Sequence, residues 1–452
     1  MTTIQKSKYA LSHAACFMLL LAAGCASVEN ARNAQNGTVI HEGERALSFE
    51  ESGLATNNAI TISDLEAVAL RASPIVFQAR ENVILAQIAL RDVKSSYIPT
   101  VDAGIGYTYK ASKISPDAST ESDGVFGGSA SLNMLVYDFG RTKASTRRAI
   151  NSLIGAERNA KAAENATRYA VRKACYALKR SEEMRDVAAE AANISKIHYE
   201  QMQARYEVGA VNAYAVTQAS VNWAQDVLTA VTASNTVLTA RAELNKALGI
   251  DSAPEFAISD STIRLYNGYD AAMLMEIAKT NAPALASLRA AAQGASDYVD
   301  YTIADLYPSL GISIQYTATH DGDLLWNLSG IGQLSQNIFC AGRKRRAIDA
   351  AVSNFRIARA KVTEEELTLK SQLTQAILAS IRARQQLDVA SASKTMAEEN
   401  YNIVSQRYEV GQASEIERSE ALVSLASAKA AVVSAKYDYY DSQILISNLI
   451  GE

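Results

Sequence analysis

The sequence predicts a mixed α and β protein, mostly α, in which one unit of very long helices and a short β-hairpin occurs twice. Three observations carry this. First, only 6 prolines occur in 452 residues, and none falls within 117–253 or 309–452. Proline costs roughly 3 kcal/mol inside a helix, so both stretches are free to hold long helices. Second, Arg205-Tyr206-Glu207-Val208-Gly209 recurs unchanged as Arg407-Tyr408-Glu409-Val410-Gly411. Third, four segments alternate apolar and small or polar residues with period two, in two pairs, one pair per unit.

The N-terminus stands apart from the fold. Lys6 and Lys8 precede an apolar run, Ala14 to Ala23, that is too short to span a bilayer. It ends Leu21-Ala22-Ala23-Gly24-Cys25, and small residues before a cysteine resemble the lipobox of bacterial lipoproteins. Residues 1–24 therefore read as a lipoprotein-type signal peptide and Cys25 as its lipidation site. By analogy, Ala26 rather than Asp at the next position favours the outer over the inner membrane. Residues 25–60 form an N-terminal extension.

The repeat organises the rest. Ala69 to Pro74 aligns with Ala278 to Pro283, and Pro99 with Pro308, both at an offset of 209. Gly140-Arg141 aligns with Gly342-Arg343, and Gly249 with Gly451, at 202. One insertion of 7 residues in the first copy explains the change. Its natural home is the hairpin tip, Ala111 to Gly124 against Thr319 to Leu325, where insertions are tolerated. The repeats run 61–250 and 271–452, joined by a linker at 251–270.

Each repeat opens with a predicted helix of about 33 residues, begun in the first copy at a capping box, Ser63-Asp64-Leu65-Glu66. It stops before Pro99 or Pro308. A hairpin follows. Val101, Ala103, Ile105, Tyr107 and Tyr109 share one face, against Asp102, Gly104, Gly106 and Thr108. Ala130, Leu132, Met134 and Val136 do the same in the next segment. In the second copy Leu310, Ile312, Ile314 and Tyr316 share one face of their segment and Trp326, Leu328, Gly330 and Leu334 one face of theirs, with Ile331 as an exception on the polar face. Segments of about 10 residues, apolar outside and polar inside, fit transmembrane β-strands. Period alone does not separate them from a soluble hairpin with one wet face.

A very long helix, 142–206 or 344–408, comes next. It carries a narrow stripe of small and apolar residues, such as Ala163, Ala166, Ala170, Ala174 and Ala177, that suits coiled-coil packing. At 1.5 Å per residue it spans about 97 Å. A glycine turn and a helix of about 37 residues close the repeat. The two shorter helices together match the long one in length, which predicts end-to-end stacking beside it.

Four strands cannot close a membrane barrel, because bacterial barrels begin at 8 and an open edge in lipid leaves backbone groups unpaired. Two chains give 8 strands and a filled interior, whereas three give 12 and leave a pore. The expectation is a homotrimer with a 12-stranded β-barrel continuing into a helical tube.

Other classes are excluded. Without residues 1–24, 42 Lys+Arg face 48 Asp+Glu, a net charge of −6, which argues against nucleic acid as a partner. Cys175 and Cys340 make no disulfide framework. His41, His198 and His320 lie in different kinds of segment, and no catalytic, metal or cofactor motif occurs. The chain reads as a non-enzyme without cofactors.

These features together resemble the TolC family of outer-membrane channel-tunnels over about residues 60–452. The resemblance rests on the Ala-Ser-Pro and Asn-Ala-Pro helices and on Val136-Tyr137-Asp138-Phe139-Gly140-Arg141 after the first hairpin. Leu334-Ser335-Gln336-Asn337-Ile338-Phe339 after the second hairpin and the two Arg-Tyr-Glu-Val-Gly turns complete it. It implies a trimer in the outer membrane of a Gram-negative bacterium, reaching into the periplasm. Such a channel is the passive exit duct of a tripartite efflux pump or a type I secretion system. Its partners would be an inner-membrane transporter, a periplasmic adaptor protein and outer-membrane lipid. Residues 26–60 and 251–270 would supply an equatorial belt.

The resemblance also assigns residues. The tips Val208-Gly209 and Val410-Gly411 would dock the adaptor. Glu417 and Glu420 would ring the periplasmic entrance, although Ser414-Glu415-Ile416-Glu417 also reads as a capping box. The first-copy equivalents, Ala215 and Gln218, carry no charge. Arg141 with Lys143, Arg147 and Arg148, and Arg343-Lys344-Arg345-Arg346, open the long helices, where cations oppose the helix dipole. Anionic lipid headgroups at the barrel rim or acids of a neighbouring chain would compensate. The rival reading is a periplasmic coiled-coil scaffold or adaptor without a pore.

Overall fold

The structure is a computed structural model and describes residues 31–32, 35, 43–54, 60–112, 121–252, 254–259, 265–266, 271–321 and 323–451. The signal segment and Cys25 lie outside the described residues.

The helix of about 33 residues expected at the start of each repeat is two helices. They are α2 (Ile62–Ala72) and α3 (Pro74–Ser95), repeated as α6 (Ala271–Asn281) and α7 (Pro283–Ala304). Proline takes the first helical position of α3 and of α7 and holds the residue before it in extended geometry. Ser73 accordingly sits at φ −69°, ψ 120° and Ala282 at φ −62°, ψ 114°. The capping box of α2 also lies two residues earlier than expected. Thr61 is the cap, accepting from Asp64 N at 3.3 Å, while Thr61 N donates to the Asp64 carboxylate at 3.4 Å. A one-turn helix, α1 (Phe49–Ser52), precedes them.

Four strands, β1 (Thr100–Ser112), β2 (Glu121–Tyr137), β3 (Ser309–Asp321) and β4 (Asp323–Ser335), form one antiparallel sheet in the order β1-β2-β3-β4. Its register places every strand's apolar set on the same face. One row runs Ala103, Ala130, Tyr316, Leu328, and the next runs Val101, Leu132, Ile314, Gly330. The intervening row on the opposite face is Asp102, Ser131, Gln315, Ser329. A bulge between Leu135 and Tyr137 breaks the alternation at Val136. The paired hairpin ends are Ser112↔Glu121 and Asp321↔Asp323. The 7-residue length difference therefore lies wholly in the tip. Residues 113–120, which carry it, are outside the described residues.

The long helices α4 (Arg141–Glu207) and α8 (Arg343–Glu409) have 67 residues each. Each starts after a turn with two consecutive left-handed residues, Phe139-Gly140 and Ala341-Gly342. Helices α5 (Ala213–Leu248) and α9 (Glu415–Leu449) return antiparallel to them. The C-terminal end of α5 abuts the α2–α3 break, so that a Cβ on Gly249 would lie 2.8 Å from Ala72 O. Gly451 meets Asn281 O at the same 2.8 Å in the second repeat. The end-to-end arrangement thus joins α3 to α5 and α7 to α9 beside the long helices.

The main apolar core lies at this junction. Leu65, Val68 and Ala69 of α2 pack with Val171, Cys175 and Leu178 of α4 and with Leu244 and Leu248 of α5. Burial pushes the Cys175 thiol up to about 12, so it stays an inert apolar side chain. Two isolated parallel bridges, Leu47↔Ile250 and Ile60↔Ile258, bring Ile60, Ile250 and Ile258 to this core.

Gly249 and Gly451 combine a left-handed φ, 73° and 84°, with backbone contact. Gly249→Ala is expected to cost about 2 kcal/mol or more, since the left-handed region alone costs about 1–2 kcal/mol for an L-residue. Gly209→Ala, with φ 71° and open space around it, should cost no more than that backbone term. Thermal unfolding of the two detergent-solubilised variants checks the order.

Candidate functional site

The end of the helical hairpins farthest from the sheet holds the predicted tips. Both identical pentapeptides fold identically. Val208 and Val410 end their helices at φ −93° and φ −92°. Gly209 N donates to Tyr206 O at 2.9 Å and Gly411 N to Tyr408 O at 3.0 Å. Ala210 N and Gln412 N close the outer bonds onto Arg205 O and Arg407 O, both at 2.8 Å. This double closure satisfies the last carbonyls of each long helix. It also pushes the two valines outward, 80% and 70% exposed.

The two predicted gate acids differ. Glu417 is held in a reciprocal cap, in which Ser414 N donates to its Oε2 at 2.6 Å and its own N–H donates to Ser414 Oγ at 3.2 Å. These bonds from Ser414 hold the Glu417 carboxyl below the usual carboxylate range. Glu420 is exposed and has no ion-pair partner among the described residues.

A set of contacts that the sequence reading did not assemble joins α4 of the first repeat to α9 of the second. His198 is buried between Arg418, whose Nη1 lies 2.9 Å from Nδ1, and Glu415, which pairs with Nε2. Tyr408 packs its ring edge-on to His198 at 5.9 Å, under the Arg418 guanidinium at 5.0 Å. Lys429–Glu190 at 2.8 Å, Lys436–Glu183 at 2.7 Å and Arg180–Asp438 at 3.0 Å continue the seam away from the tip. One signal was available. Glu183 and Glu190 are spaced as Lys436 and Lys429 are, with opposite chain direction, which is an antiparallel heptad match.

Three of the cations that open the long helices, Arg141, Arg147 and Lys344, pair with acids of the same chain. Arg141 Nη1 lies 3.0 Å from Asp305 Oδ1, and Lys344 Nζ lies 3.4 Å from Asp305 Oδ2. Arg147 bridges Asp297 at 2.9 Å and Asp300 at 2.5 Å. In the first repeat a further anion sits at the helix N-terminus. Buried Asp138 accepts from Thr142 N at 2.6 Å and from Thr142 Oγ1 at 2.5 Å. The second repeat has Cys340 at that place. Arg346 donates to Ala341 O at 3.1 Å, while Arg343 and Arg345 are exposed with no ion-pair partner among the described residues.

Among the described residues, no helix is long and apolar enough to cross a membrane. The apolar face of the sheet is the surface suited to lipid. Val101, Ile105, Tyr107, Trp326 and Leu334 are each more than half exposed on it. A four-stranded sheet with one apolar and one polar face, continued by helices about 100 Å long, defines a channel-tunnel protomer. The chain matches the outer membrane efflux protein family over residues 67–250 and 274–452, and it belongs to that family. No curated protein sequence matches it.

The fold is similar to the Campylobacter jejuni CmeC outer membrane channel, with TM-score 0.74 and 20% identity over 91% of this chain and 92% of that one. The Vibrio cholerae outer membrane protein VceC gives TM-score 0.72 at 17% identity, over 86% of this chain and 95% of that one. The Neisseria gonorrhoeae MtrE outer membrane channel, in its open state, gives 0.74 at 14%, over 86% and 88%. The protein is an outer-membrane efflux channel, and the scaffold alternative has no support.

The Glu417 cap carries a pH dependence. A carboxyl whose native pKa is lowered stabilises the fold above its unfolded value, near 4.3, and that stability is lost as pH falls through the native value. Amide protection factors at residues 414–418, taken relative to the intrinsic exchange rate at each pH, should hold at about pH 5 and fall below about pH 4. Ser414→Ala should raise exchange there roughly fivefold at neutral pH and flatten the pH response.

Proposed function

We propose that the chain works as a passive homotrimeric duct that receives cargo from an inner-membrane transporter through a periplasmic adaptor protein. The observation that carries the trimer is the sheet. β1 and β4 each pair with one neighbour only, and open edges in lipid must be closed by other copies. Three copies supply 12 strands, enough for a lumen lined by the polar rows through Asp102, Ser131, Gln315 and Ser329.

In this reading the exposed valines at Val208-Gly209 and Val410-Gly411 are the adaptor-docking tips. Glu420 from three copies forms an acidic ring at the periplasmic entrance, where crowded like charges offer a site for cations. Glu417 contributes mainly through its cap, because its carboxylate is already engaged. Arg141, Arg343, Lys344, Arg345 and Arg346 form the basic cluster at the membrane rim. Arg343 and Arg345 remain available to lipid headgroups, and Cys25 carries a lipid anchor. The duct serves a tripartite efflux pump; a type I secretion system would use the same tunnel, the transporter selecting the cargo.

Planar-bilayer conductance of the purified protein tests this. Small cation-selective steps are expected. Glu420→Gln should lower the cation selectivity, and Glu417→Gln should change it less. Absence of any conductance from an intact trimer would overturn the pore. Equal selectivity in all three proteins would remove the acidic ring.

A further inference from the structure

A duct has a lumen, and the packing of the helical wall tells its inside from its outside. Helix α2 lies as a second layer on α4 and α5, with Leu65 and Val68 packed among Cys175 and Leu178 of α4 and Leu244 and Leu248 of α5. A second layer inside the tube would fill it, so this face is the outer one. At about 100° per residue, Arg180 stands on the face of α4 opposite Cys175 and Leu178. Leu228 and Thr232 likewise stand on the face of α5 opposite Leu244 and Leu248. These inward residues line one groove of about 640 Å³ between the two helices, together with Ala177, Met184 and Thr236.

The groove is less polar than its residue types. Thr229, Thr232, Thr236 and Thr239 each donate the side-chain hydroxyl to the carbonyl four residues back, at 2.9–3.1 Å. Ser181 Oγ donates to Leu178 O at 2.7 Å. Hydroxyls engaged with their own helices leave the threonine methyl groups as lining. Leu228 is 59% exposed among them. Arg180 is the one charged lining residue among those described. Asp438 neutralises it at 3.0 Å, and its Nη2 donates to Ser434 Oγ at 2.6 Å.

The second repeat has no such surface. The offset of 202 puts Ala430, Ser434 and Asp438 at the places of Leu228, Thr232 and Thr236, and Gln386 at that of Met184. The apolar lining is therefore a property of the first repeat rather than a by-product of pairing long helices.

We propose that this groove binds uncharged amphiphilic molecules as they pass along the duct. Its volume falls in the range of roughly 300–1,000 Å³ usual for small-molecule sites. The stretch from Gln225 to Ala240 covers about 22 Å of α5, so the occupant is elongated. Its apolar body lies on Leu228, Met184 and the threonine methyls. Its hydrogen-bonding group meets Gln225, whose side chain makes no hydrogen bond among the described residues. The Arg180–Asp438 pair leaves no net charge to hold an ion. This rests on the duct proposed above.

The test uses the full chain in a planar bilayer, with Ala233→Cys in a Cys340→Ser background. Ala233 lies midway along the groove. A cationic methanethiosulfonate reagent should step the cation current down, and should leave the background protein unchanged. Uncharged N-phenyl-1-naphthylamine should slow that step, roughly fivefold when the probe is at about four times its dissociation constant. Adding Leu228→Asp should abolish the protection, and the exposure of Leu228 spares the fold. Adding Thr232→Val should keep the protection, because the hydroxyl is already engaged. If the unaltered protein carries no current, the duct falls and this site with it. If it conducts but the reagent leaves the current unchanged, the groove does not face the lumen. If the step is equally fast with the probe, or protection survives Leu228→Asp, the site is wrong and the duct stands. Loss of protection in Thr232→Val overturns the apolar lining.

Discussion

A strand edge in hydrocarbon has no water to satisfy it, and each unpaired backbone group there costs several kcal/mol. Everything else in this protein follows from how a chain with four strands meets that condition. Its sheet has an apolar face fit for lipid and a polar face fit for water, but it also has two open edges. The protomer is therefore an incomplete object. Isoleucines on α3 and aromatics on β1 and β4 stay exposed on the same protomer.

Below the sheet the duplicated unit solves a problem of length. A single helix carries the chain down, while two shorter helices in line bring it back. Proline at 74 and 283 opens a break, and glycine at 249 and 451 lets another helix end approach that break to van der Waals distance. The break also turns α2 into the core among α4 and α5, where most of the fully buried leucines collect. Without it the wall would be one helix layer thick, with little apolar area to bury.

The repeats are alike in backbone and unlike in charge. The tips share the same hydrogen bonds, yet only the second repeat places carboxylates after its turn. Asp138 stabilises the start of α4, whereas Cys340 at the matching place in the second repeat leaves α8 to its basic residues. The His198–Arg418–Glu415 cluster and the Lys–Glu pairs behind it tie the two hairpins together along one flank. Partly buried pairs of this kind add modest stability one by one, and they specify which helix faces which.

The repeat, the long helices, the strand faces and the turns were legible in the sequence because each is a local or periodic signal. Alternation decides which side of a strand is apolar, and an absence of proline permits a helix, whatever the chain does elsewhere. The start of α2 and the break at Ser73-Pro74 were misread, the first because an Asp box at Thr61 competes with the Glu box at Ser63. Tertiary structure alone decided the rest. Asp305 answers Arg141 and Lys344, and His198 faces α9. These depend on which segments become neighbours across separations of 39, 164 and 220 residues, and periodicity along one chain carries no information about that choice.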